Sequence, residues 1–263
     1  MLRSMYSGIS GLKNFQLKLD VIGNNIANVN TYGYKKGRTT FSDIVSQTIA
    51  ASTAPSNDMG GTNTKQIGLG ARLATTDTIH TQGSVQMTNR PLDIAISGDG
   101  YFIINDGNDD LYTRAGNFYL DEEGKVVDGN GFYLQKAGGG EIEIPDDAKS
   151  FSIGKDGTVS IVKADNSIDS KQKISLAIFP NADGLEKSGN NLYRLSNNSG
   201  NATDVQPGAD GAGELISGAL EMSNVDLSEE FTEMIVAQRG FQANTRIITT
   251  SDEILQELVN LKR

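Results

Sequence analysis

Apolar residues over the first 30 positions recur with a period of seven. Met5, Leu12, Leu19 and Ile26 form one row, and the positions three later are Gly8, Phe15, Ile22 and Val29. Only Gly8 breaks the stripe, while Lys13, Lys18 and Asp20 fall off it. Two rows at this spacing share one helix face. The pattern predicts a helix over 4–29, roughly 40 Å long at about 1.5 Å per residue. The other end of the chain repeats the theme. Leu227, Met234, Phe241, Ile248 and Leu255 are spaced by seven, with Phe231, Gln238, Thr245, Asp252 and Val259 as companions. One row is wholly apolar and the other is mixed. Asp226 followed by Glu229 has the spacing of a capping box. The predicted second helix is roughly 36 residues and about 54 Å long.

Between the helices the period changes. Short β-type runs alternate with turn signals from about residue 70 to 205: Leu92–Ile96, Tyr101–Ile104, Asn117–Leu120, Phe132–Leu134, Phe151–Ile153, Thr158–Val162 and Ile174–Phe179. Asp106-Gly107, Asp121–Gly124, Asp128–Gly131 and Asp156-Gly157 separate them, as hairpin turns do. Residues 50–65 and 196–213 are small and polar and read as loops. The expected fold class is therefore α+β. Long N- and C-terminal α-helices form a coiled-coil layer, and a central all-β domain is inserted between them. The expected division is 1–30 with 224–263 (helical), 31–72 with 206–223 (extended connections) and 73–205 (the all-β outer domain).

Composition supports this picture and narrows the chemistry. Of 263 residues, 37% are hydrophobic and 6% aromatic, without Trp, which favours several small cores over one large one. The net charge is -10. Residues 1–40 hold six basic residues (Arg3, Lys13, Lys18, Lys35, Lys36 and Arg38) against Asp20, so the acidity lies in the remainder. An acidic bulk argues against nucleic acid as a partner. The basic start suits an acidic surface, including that of another copy. No Cys is present, which removes thiol chemistry and Cys-ligated metals. The N-terminus lacks the apolar run of a secretory signal, and no run has the roughly 20 residues of a membrane span.

Candidate catalytic groups are few. His80 is the only histidine, no G-x-S-x-G elbow occurs, and a structural role is expected for it. The loop Asn105–Asp110 is acidic but lacks the ligand order of an EF-hand and reads as a hairpin tip. No cofactor and no metal site is expected. Asn24, Asn25, Asn28 and Asn30 cluster where the first helix should end. They suit helix termination, or hydrogen bonding between packed subunits. The stripe residues Met5, Leu12, Phe15, Leu19, Ile22, Ile26, Val29, Leu227, Phe231, Met234, Phe241, Ile248, Leu255 and Val259 are the candidate assembly interface.

Four longer segments, in order, resemble one family. LDVIGNNIANVNTYGYK (Leu19–Lys35) resembles the N-terminal signature of bacterial flagellar rod and hook proteins, and RPLDIAISGDGYFII (Arg90–Ile104) is similar to their central motif. Tyr112–Leu134 resembles the strand-turn-strand block that follows, and Glu221–Lys262 resembles the C-terminal helix. The resemblance implies a structural subunit that polymerises helically around an export channel. Its terminal helices would form the inner coiled-coil layer, with the β domain outside. It implies export by the flagellar type III apparatus without a cleaved signal. It also implies contacts with other copies and with neighbouring rod, hook-cap and hook–filament junction proteins, with neither nucleic acid nor membrane insertion. Within the family, the start and the RIITTSDEILQELVNLK ending look most like the short hook protein of Bacillus-type bacteria, and next like the distal rod protein. A secreted adhesin with helical ends, or a carbohydrate hydrolase using paired carboxylates, is the reading from another class.

Overall fold

The computed structural model describes residues 2–55, 60–107, 109–145, 147–165, 167–209 and 211–261. A helix stands at each end of the chain and strands fill the middle, so the fold is α+β. Helix α1 spans Leu2–Ala27 and helix α2 spans Leu227–Leu261. α1 stops where Thr31 donates its amide to the Asn28 carbonyl at 3.1 Å and its hydroxyl to Asn28 Oδ1 at 3.1 Å. Asn suits such a stop because its side chain competes with the helical backbone bonds. α2 starts because Asp226 Oδ1 accepts the amides of Ser228 at 2.8 Å and Glu229 at 3.4 Å, satisfying donors that a helix start leaves open.

The chain forms two compact units, each discontinuous in sequence. The first gathers residues 1–26, 37–77 and 226–263, and the second 27–36 with 78–225. Beside its helices the first unit holds two ribbons. Gly37–Asp43 pairs with Ala71–Thr78, and Gln47–Ala50 lies antiparallel to Lys65–Ile67. The expected loop 50–65 is the tip of the second ribbon, closed by paired Thr53 and Thr62 backbones. Residues 56–59 of that loop lie outside the described residues.

The second unit is built around the strand Tyr101–Asn105. One side of this strand pairs with Asp110–Thr113. The other side is shared by Leu176–Ile178 at its start and Tyr133–Leu134 at its end. Phe102 and Ile104 enter a core with Ile94, Ile96, Phe118, Leu134 and Leu176. Tyr101 and Ile103 point the other way, into a smaller core with Tyr112, Phe179, Leu185 and Tyr193. A strand covered on both faces reads as an unbroken apolar run, and Tyr-Phe-Ile-Ile is one. The strands Ala148–Ile153, Thr158–Lys163 and Ile168–Lys173 form a separate three-stranded sheet. Two late strands close on early ones: Glu214–Ser217 pairs with Ile94–Ser97, and Ala219–Glu221 with Val85–Met87.

The acidic loop is a hairpin tip, tied by Asn105 Nδ2 to Asp110 Oδ1 at 2.7 Å and by the Gly107 amide to Asn105 Oδ1 at 2.6 Å. Asn108, part of that candidate loop, lies outside the described residues. So do Asp210, within the expected loop 196–213, and Lys262, the last residue of the family-like ending. Among the described residues no helix is long and apolar enough to cross a membrane, and no cluster of three metal-ligating side chains occurs.

Candidate functional site

The first unit pairs α1 and α2 antiparallel. Gly8 lies against Ile248, Gly11 against Asn244, and the Phe15 ring against Gly240. Farther along, Lys18 Nζ meets Glu233 Oε2 at 3.1 Å and Asn25 Nδ2 meets Glu230 Oε2 at 3.1 Å. Glycine at the contact lets two helix backbones approach closely: a Cβ on Gly11 would stand 2.9 Å from Asn244 Nδ2. Asn25 is the most connected residue here. It is 1% exposed, donates to the Gly37 carbonyl and accepts the Gly37 amide, each at 2.9 Å. It therefore ties the end of α1 to the first ribbon and to the start of α2.

The candidate interface residues divide into two groups. On α1, Ile22 is buried, and Met5, Leu12, Phe15, Leu19 and Ile26 are half-buried; half-buried Val29 lies in the turn beyond the helix. On α2, Met234, Ile248 and Leu255 are half-buried, while Leu227, Phe231, Phe241 and Val259 are exposed. The companion row at Phe231 does not face α1. Glu230, Ala237 and Ser251 are the buried residues of α2, and Asn244 completes their heptad row. The row facing inward thus lies one residue earlier than the apolar pattern suggests, and it is small and polar. Beyond the half-buried Met234, Ile248 and Leu255, α2 leaves many large apolar side chains outside: Ile235, Val236, Ile247, Ile254 and Leu258 are exposed too, as are Tyr6, Ile9 and Leu17 of α1.

A second cluster, inside the second unit, has no counterpart in the apolar pattern. Lys35 Nζ meets Glu221 Oε1 at 2.6 Å, and Arg114 Nη1 meets Glu221 Oε2 at 3.2 Å. All three residues are buried. Burial holds the Lys35 ammonium below its ordinary pKa, against the opposing pull of Glu221. This corrects one expectation. Lys35 is not part of a basic surface at the start of the chain, because its charge is paired inside. Lys18 and Arg38 also meet acids of their own chain, Glu233 and Asp77. His80, expected to be structural, has its Nδ1 2.6 Å from the Tyr101 hydroxyl and packs on Tyr193.

Comparison with known proteins places these elements. Residues 5–35 match the family described as flagella basal body rod protein, and residues 216–261 match the flagellar basal body rod FlgEFG protein C-terminal family. Residues 95–161 match the flagellar hook protein FlgE/F/G D1 domain. The whole chain is 64% identical over 264 residues to the whole of the flagellar basal-body rod protein FlgG of Bacillus subtilis. It is 38% identical over 265 residues to the rod protein FlgG of Buchnera aphidicola from Schizaphis graminum, covering 99% of this chain and 100% of that one. Against the flagellar hook protein FlgE of Borreliella burgdorferi the identity is 31% over 441 positions, with both chains fully covered. These matches reverse the expected order of hook before rod. The chain belongs to the flagellar rod and hook protein family, whose members are structural parts of the flagellum and not enzymes.

Proposed function

We propose that the chain is a subunit of the basal-body rod, built into a tube with its own copies. The observation that carries this reading is the 64% identity to a rod protein along the entire length of both chains. The hook proteins of Borreliella burgdorferi and Treponema pallidum align over 441 and 463 positions, so they hold inserted segments that this 263-residue chain lacks. The hook reading put first from the sequence gives way for that reason.

In the proposed tube the terminal helices of successive copies pack as a coiled-coil inner layer around an export channel. The exposed apolar residues of α2 supply the contacts between copies, because the chain itself leaves Phe231 50%, Phe241 37% and Val259 65% exposed. The β unit forms the outer wall. Neighbouring rod and hook proteins continue the axis, and the chain reaches its place through the flagellar export apparatus without a cleaved signal. Immunogold labelling of purified basal bodies tests the assignment. Label on the short straight shaft that crosses the envelope is the expected result. Label confined to a curved tube outside the envelope would overturn the rod reading and restore the hook.

A further inference from the structure

The chain passes between its two units four times: after Ile26, after Lys36, after Asp77 and after Val225. We propose that Glu221 is the centre of a clamp, inside the second unit, that binds to one another the chain segments next to three of these passages, those after Lys36, after Asp77 and after Val225. Its Oε1 accepts Lys35 Nζ at 2.6 Å and the Gly83 amide at 2.9 Å, and its Oε2 accepts Arg114 Nη1 at 3.2 Å. Its backbone carbonyl accepts the Gly33 amide at 2.8 Å. Lys35 Nζ also donates to the Thr81 carbonyl at 2.8 Å.

Asn224 repeats the linkage three residues on. Its Oδ1 accepts the Lys36 amide at 2.7 Å and its Nδ2 donates to the Ile79 carbonyl at 2.9 Å, while the Ile79 amide donates to the Lys36 carbonyl at 2.8 Å. Segments 33–36, 79–83 and 221–224 are thus laced by one carboxylate and one amide. Arg114 anchors the lacing to the main sheet, since it follows directly on the strand Asp110–Thr113 and donates to the Gly98 carbonyl at 2.9 Å. Gly33 allows the close fit: its φ is +67°, and a Cβ there would stand 2.5 Å from the Ala115 amide nitrogen.

The side chains of Lys35 and Glu221 are 0% exposed, and that of Arg114 is 3% exposed. Removing Glu221 leaves the two buried cations without their counter-charge, which is strongly unfavourable. The strand Tyr101–Asn105 and its partners bury their own apolar faces and need none of these bonds. Breaking the clamp therefore opens the base of the unit locally and spares the core. In a tube subunit the four passages are the covalent route for force between the units, and the clamp stiffens the three that it holds. That consequence rests on the proposed rod assembly, whereas the clamp itself does not.

Amide hydrogen exchange on the full-length chain tests the clamp. With Glu221→Gln, protection should fall at least about tenfold across 31–36, 79–83 and 219–224, and stay unchanged across 101–105 and 176–178. Equal loss in the core, or no loss anywhere, overturns the proposal. If Glu221→Gln does not fold, Lys35→Met is read by the same pattern, since it leaves Glu221 bonded to Arg114 and Gly83. Failure of both variants to fold would also overturn it, because the core would then depend on the clamp.

Discussion

At the scale of single residues, His80 carries a stability cost that depends on pH. Its ring packs on Tyr101 and Tyr193, and its Nε2 is buried without a hydrogen-bond partner. Burial pushes its pKa from 6.5 down to about 4; Lys35, Lys187 and Arg114 act in the same direction and Asp183 opposes them. Between these two values the unfolded chain holds more protons than the folded one, so stability falls as the pH drops from 6.5 towards 4 and levels off below. The ring is only partly buried, so the loss is about 1–3 kcal/mol. His80→Phe should flatten this stretch of the profile in urea melts between pH 7 and pH 4, and an unaltered slope would refute the assignment. Asn25 gives a second prediction. Asn25→Ala should cost about 1–3 kcal/mol by stranding the Gly37 backbone groups and Glu230. Asn25→Asp should cost more at neutral pH, because its carboxylate would face that of Glu230; an aspartate milder than alanine would contradict the hydrogen bonding given for this site. Neither residue announces its role in the chain. Four asparagines stand near the end of α1, and only the fold singles out the one turned inward. Lys35 looks like surface charge because its partner Glu221 lies 186 positions away.

The helices were legible as elements because a seven-residue period survives any detail of packing, and their ends were legible because Asp226 and Asn28 act within a few residues of themselves. What faces what was less legible. On α2 the large side chains form the visible stripe, yet the row turned to α1 is Glu230, Ala237, Asn244 and Ser251, because close helix approach selects small side chains over large ones. The notch at Gly240 is the sharpest case. The Phe15 ring occupies the place where a side chain at 240 would go, so Gly240→Leu should overpack the pair at a cost of about 1–3 kcal/mol. Phe15→Ala in the same chain should recover part of that cost, giving a coupling that a double-mutant cycle measures. Strictly additive losses would mean that the two side chains do not compete for one space. The β elements followed the same logic. Tyr101–Asn105 was plain because both its faces are covered, whereas Ile168–Lys173, with Ile168 its one apolar residue, has no apolar alternation to mark it and shows as a strand only through its pairing with Thr158–Lys163.

At the scale of the whole molecule, the insertion of a β module between terminal helices was readable from the change of period. That residues 37–77 join the helices, and 27–36 the strands, was not, since such membership depends on pairings between distant segments. The division has a thermodynamic consequence. The second unit buries two aromatic and aliphatic cores, while the helix pair is held by glycines, amides and few large apolar contacts. Helices gain most of their stability from an apolar face packed on something, and many of the larger apolar residues of α2 face outward. In the monomer, amides of 4–27 and 230–259 should therefore exchange much faster than those of 101–105. In the assembled tube their protection should rise towards that of the core, as neighbouring copies cover Phe231, Phe241 and Val259. Phe231→Asp separates the two states of the chain. Phe231 is 50% exposed in the monomer, so the substitution should leave the unfolding free energy from urea melts within about 0.5 kcal/mol of the parent. In the tube it would place a charge in a dry seam, so no tubes should form. Ile22→Asp, at a position 2% exposed, should instead weaken the monomer itself. Tubes of normal length from Phe231→Asp would show that copies meet through some other face, and the helix surface would lose its claim to be the joint.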